Sequence, residues 1–117
     1  MSLSKFTGEP ILTIGFTHDY DKLHKDHGTT IRMGNKGLHV GDYVLLKHNR
    51  MERKVKITKL YQSEIKDIPL DVLKSDIAPF TCESTAEFIR GLQKFYKFEI
   101  LETKAVWVIG WEVVKDV

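Results

Sequence analysis

The sequence predicts an α+β fold, a single small mixed β-barrel with two or three helices packed around it. Three observations carry that reading. The last strand, Ala105 to Val114, is apolar on both faces. Trp107, Ile109, Trp111 and Val113 lie on one face and Val106, Val108 and Val114 on the other, as expected where a barrel interior lies on one side and a helix on the other. The alternation over Arg53 to Tyr61 slips, with Leu60 out of phase with Val55 and Ile57, which one extra residue in a strand produces. Ser84 and Glu87 form a capping box ahead of Phe88, Ile89, Leu92, Phe95 and Tyr96, which share one helical face.

In chain order, Ile11 to Phe16 is rich in branched and aromatic residues and reads as the first strand. Thr17 is placed to cap a short surface helix over His18 to Asp26, whose apolar positions are only Tyr20 and Leu23. Gly28 ends that helix as a C-terminal glycine, and Thr29 to Met33 is a β-branched strand. Asn35, Lys36 and Gly37 make a turn-rich loop before the buried strand Tyr43-Val44-Leu45-Leu46, which Gly41-Asp42 introduces. Asn49 and Arg50 mark a hairpin connection to the strand that slips. Pro69 suits the first turn of a short helix reaching about Ser75, which buries Leu70, Val72 and Leu73, and Pro79 prevents its continuation.

A chain of 117 residues with 42% hydrophobic content builds one core, so a single domain is expected with its core over about 11–114. No run of about 18 apolar residues exists for a spanning helix, and no apolar segment near the N-terminus suits a secretory signal. The expectation is a cytoplasmic protein with no membrane partner. Cys82 is the only cysteine, so an internal disulfide and a thiolate cluster for zinc are excluded, and a structural role fits it. His18, His24 and His27 with Asp19, Asp21 and Asp26 suggest a metal, but no closed ligand set is indicated, and a polar surface explains them. No metal and no cofactor is expected. Net charge is +2, but its distribution is uneven. Lys47, His48, Arg50, Arg53, Lys54, Lys56 and Lys59 are interrupted by one acid, Glu52, whereas Glu64, Asp67, Asp71 and Asp76 follow. Lys54 and Lys56 point away from Val55 and Ile57, where they can track a nucleic-acid backbone.

The stretch richest in chemistry is Gly28-Thr29-Thr30-Ile31-Arg32. Residues two apart on a strand point the same way, so Thr30 and Arg32 present a hydroxyl and a guanidinium side by side. The planar fork of Arg32 suits phosphate or a base edge. Trp107 and Trp111, on an apolar face, read as core rather than as a stacking surface.

Five parts in order span about Ile11 to Val114: Gly28 to Arg32, Val40-Gly41-Asp42-Tyr43-Val44, the basic strand to Tyr61, Ser84 to Tyr96 and the strand closing at Val114. In that order they resemble the ASCH domain family. The resemblance implies a PUA-like barrel with a cleft beside Thr30 and Arg32, and RNA or a nucleotide-like molecule as ligand. Small bacterial members hydrolyse an amide on acetylated cytidine with a lysine, a threonine three positions later and a more distant glutamate. Thr30 matches that threonine and Arg32 the arginine after it, while His27 stands where the family has lysine, and only Asp76 is available for the glutamate. The first reading is therefore ligand binding by Arg32, Lys25, Tyr20, Gly28, Lys54 and Lys56. The second is an amidohydrolase in which Thr30 attacks, His27 takes its proton, Asp76 stands in for the glutamate, and Arg32 or Lys25 stabilises charge.

Overall fold

The computed structural model describes residues 12–114. Its strands are β1 (Leu12–Gly15), β2 (His27–Arg32), β3 (Tyr43–His48), β4 (Met51–Glu64) and β5 (Ala105–Val113). Its helices are α1 (Leu70–Ile77) and α2 (Thr85–Tyr96). The strands form one mixed sheet in the order β1-β3-β4-β5-β2, with β1 parallel to β3 and every other pair antiparallel. No helix among the described residues is long and apolar enough to cross a membrane.

The two-faced character of β5 organises the interior. Ile109 and Trp111 join Ile14, Phe16, Leu23, Val44, Leu46, Val55 and Ile57 in one core, with Trp107 and Val113 packed against it. Val106 and Val108 face the opposite way and join Ile31, Ile65, Leu73, Phe88 and Ile89 in a second core beneath α1 and α2. Burying each of these aliphatic or aromatic side chains contributes roughly 1.5–3 kcal/mol, so β5 serves two apolar layers at once.

The parity slip in β4 is a bulge. Ile57 pairs with Trp111 and Lys59 with Gly110, which leaves Thr58 as the extra residue. Gly110 is the residue that tolerates this crowding, since a β-carbon there would lie 3.0 Å from that of Lys59. Ser84 caps α2 as expected, Glu87 N–H donating to its Oγ at 3.2 Å, while the Glu87 carboxylate reaches one residue past the N-cap, Oε2 accepting Glu83 N–H at 2.8 Å. Asn49, at φ 52°, turns β3 into β4.

Two expectations need correction, and the expected barrel takes an open form. The helix over His18 to Asp26 is only a 3-10 turn, Asp21–His24, entered from Tyr20 without a side-chain cap. Two apolar positions are too few to hold an amphipathic helix on a core. Gly28 does not terminate it but lies inside β2, where a β-carbon would come within 2.4 Å of the Trp111 indole. The glycine is there to admit a large ring. The hydrogen-bonded sheet is also not closed into a barrel: among the described residues no ladder joins the outer strands β1 and β2. The sheet curls until those edges face each other, and a side chain spans the gap, Arg32 Nη2 donating to the Gly15 carbonyl at 2.9 Å. Ile11, expected to begin β1, lies outside the described residues.

Candidate functional site

Alternation along β2 turns Gly28, Thr30 and Arg32 to one side, toward Trp111 and Phe16. Thr30 is buried, and its Oγ1 accepts a hydrogen bond from Arg32 Nε at 3.2 Å. The Arg32 guanidinium lies over the Phe16 ring, 4.8 Å from its centroid. The hydroxyl and cation predicted to stand together therefore do so, fixed in place by the carbonyl of β1 and the ring that follows it.

A second cation arrives from the 3-10 turn. Leu23 anchors the turn in the first core, its carbonyl accepts Arg53 Nη1 at 2.6 Å, and Asp21 N–H donates to the Ala78 carbonyl at 2.7 Å. Lys22 is thereby carried inward, where only 4% of it is exposed, to form an ion pair with Asp76 of α1, itself 7% exposed. Its Nζ also lies 5.0 Å from the Tyr20 ring and 5.2 Å from the Phe16 ring. Burial lowers the Lys22 pKa and raises that of Asp76, and the attraction between the two opposes both changes. Burial also lowers the pKa of Arg32. The phenol of Tyr20 is raised, first by burial and then by the Asp76 charge.

These groups floor a cavity of about 300 Å³. One wall is a trio of mutually edge-on rings, with centroid separations of 5.8 Å for His18 and Tyr20, 5.3 Å for His18 and Phe80, and 5.9 Å for Tyr20 and Phe80. The other wall is α2, which contributes Phe88, Gly91, Leu92, Phe95 and Tyr96. Such a cavity has room for one planar ring between aromatic walls, above a floor that both donates and accepts hydrogen bonds.

Of the residues predicted from sequence, Thr30, Arg32, Tyr20 and Asp76 meet here. His27 does not. It is exposed and lines a second recess with Asp26, Tyr43, Lys56 and Glu112, because residues three apart on a strand point to opposite faces. Lys25 is exposed and outside the pocket, its carbonyl accepting Arg53 Nη1 at 3.1 Å. Gly28 lies beneath Trp111, away from the cavity lining. Lys54 Nζ lies 5.8 Å from the Tyr43 ring, so Lys54 and Lys56 gather around Tyr43 on the outer face of β4. Cys82 is buried and lines the cavity. His24 Nε2 pairs with Asp19 Oδ1 at 2.5 Å in the open, and among the described residues no cluster of three or more histidine, cysteine or acidic side chains could hold a metal.

Lys22 escaped the sequence reading, as did the rings of Phe16, Phe80 and Tyr96. A signal for the lysine existed. Asp76 lies one turn beyond Leu73 on the buried side of α1, and a carboxylate on such a face calls for a cation.

No family model matches the chain. The uncharacterised protein MJ0364 of Methanocaldococcus jannaschii is 39% identical over 102 residues, which covers 80% of this chain and 90% of that protein. The crystal structure of the hypothetical protein PH0355 superposes with a TM-score of 0.64 at 17% identity, covering 88% of this chain and 98% of its own. An ASCH domain from Lactobacillus crispatus JV V101 superposes with a TM-score of 0.60 at 12% identity, covering 87% and 79%. These two likenesses are of fold.

Proposed function

Because this chain belongs to the family of the M. jannaschii protein and carries the ASCH-domain fold, we propose that its pocket binds a nucleotide-like ligand and that its curled sheet is an opened variant of the PUA-like barrel. The pocket itself carries this reading: aromatic walls of the size for one ring, over a floor of Thr30, Arg32 and the Lys22–Asp76 pair. Such walls accept any heterocycle face, while the floor offers donors and an acceptor to its edge. Phe80, 52% exposed at the rim, offers a surface on which the next base of an RNA chain can stack. Lys54 and Lys56 lie outside the pocket, around Tyr43 on the outer face of β4, and serve the phosphates of an RNA chain that continues onto that face.

Titration with nucleosides and short RNA, followed by tryptophan fluorescence and calorimetry, tests this. Saturable nucleoside binding that weakens in Phe80→Ala is expected, together with RNA binding that falls with salt and in Lys54→Ala and Lys56→Ala. Absence of binding by every nucleoside and RNA would overturn it.

One observation favours a second reading, hydrolysis of an amide on a modified nucleoside. Thr30 Oγ1 accepts from Arg32 Nε, which leaves its own proton free to be given away, and Lys22 and Asp76 line the same cavity. In that reading Lys22, having passed its proton to Asp76, takes the Thr30 proton in place of His27 as Oγ1 attacks the carbonyl carbon and Arg32 faces the developing oxyanion. Collapse breaks the C–N bond, Lys22 returns the proton to the leaving amine, and water then hydrolyses the Thr30 acyl ester to release acetate. Acetate release from N4-acetylcytidine, abolished in Thr30→Ala, would establish it.

A further inference from the structure

The charges on the pocket floor do not balance. Lys22 and Asp76 neutralise each other in their ion pair. Arg32 lies close by over the same Phe16 ring, and its two hydrogen-bond acceptors, Thr30 Oγ1 and the Gly15 carbonyl, are both neutral. Among the described residues no carboxylate lies within ion-pair distance of it. Glu87, the other acid of the cavity lining, keeps its charge but stands exposed on the α2 wall, where Oε2 accepts Glu83 N–H at 2.8 Å, and it forms no ion pair with Arg32. A guanidinium has five N–H donors, and these contacts engage one at Nε and one at Nη2. Half-buried, and feeling the Asp76 charge only at a distance while Lys22 holds that carboxylate directly, it is a group suited to receive an anion.

We propose that the pocket selects a ligand with one planar ring and one anionic group, a carboxylate on the ring or a phosphate monoester on an attached sugar, held by the uncommitted N–H groups of Arg32. This rests on the nucleotide-pocket reading and narrows it. The Lys22–Asp76 pair is already internally compensated, so the floor has one surplus positive charge and accommodates one negative group. An acceptor that presents two oxygens, as a carboxylate or a phosphate does, matches the guanidinium fork, which a neutral ring carbonyl meets at a single point. The cavity, at about 300 Å³, is sized for one such molecule between the Tyr20 and Phe80 rings and α2.

Calorimetric titration of the full chain with uridine, uridine 5′-monophosphate and orotate decides it. At least one of the two anions should bind about tenfold more tightly than uridine, and that advantage should shrink as salt is added. The tighter of the two identifies the source of the charge. In Arg32→Gln the advantage should vanish, while Arg32→Lys, which keeps the charge and loses the fork, should retain part of it. Arg32 also holds Gly15, so the wild-type comparison stands independently of whether the variants fold. Uridine binding as tightly as both anions would overturn this inference and leave the pocket reading intact. Failure of all three to bind would overturn this inference, while the pocket reading falls only if every other nucleoside and RNA fails as well.

Discussion

Asp76 lies three residues beyond Leu73 on α1, so the face that buries a leucine also buries a carboxylate, and Lys22 is what makes that tolerable. Removing one partner strands the other charge in an apolar setting. Asp76→Ala should therefore lower unfolding free energy by about 3–5 kcal/mol, whereas Lys22→Met combined with Asp76→Leu should recover most of the loss. Denaturant melts of Lys22→Met, Asp76→Leu and the double variant test this, and simple additivity would refute it. Tyr20 makes a prediction about pH. Its phenol is raised above the 10.0 of an unfolded chain, so above pH 10 the folded state holds a proton that the unfolded state has released. Stability should fall as pH rises from 10.0 toward the folded pKa, with a shallower slope in Tyr20→Phe, as read from melts and from tyrosinate absorbance. The buried Asp76 called for a cation, but residue types alone named neither Lys22 as that cation nor the raised phenol. The 3-10 turn sets which side chain of Asp21–His24 points inward, and it exists because too few apolar residues support an α-helix there.

Helix α2 was the most legible element, because its signals are local: a serine and a glutamate three apart, then apolar residues at helical spacing. Two substitutions on it should act in opposite directions. Ser84→Ala removes the acceptor of Glu87 N–H and should cost about 1 kcal/mol. Gly91→Ala should stabilise by about 0.5–1 kcal/mol, since a β-carbon there meets no atom within 4 Å and alanine loses less backbone freedom in a helix. Thermal unfolding of the pair checks both signs. The bulge in β4 was legible for a similar reason, since Leu60 breaks a parity that Val55 and Ile57 set. Gly28 was misread because a glycine after a polar stretch resembles a helix terminus. Its purpose becomes visible only when Trp111, 83 positions later, is paired across from it.

Across the whole molecule, the strands and their two apolar layers were readable from periodicity, and the way the sheet ends was not. Whether five strands close or merely curl depends on how far the four residues of β1 reach and what β2 presents to them, which no spacing encodes. The pocket depends on the same long-range placement, drawing on the segment after β1, the 3-10 turn, β2, the end of α1 and α2. The Arg32–Gly15 contact then has a consequence for the fate of the protein in a crowded solution. An outer strand with a bare carbonyl row invites another chain to add itself and start a polymer, and a positively charged plug on that row discourages it. Since the plug and the anion receptor are one side chain, a lineage that drifted toward uncharged ligands by discarding Arg32 would also unseal its own seam.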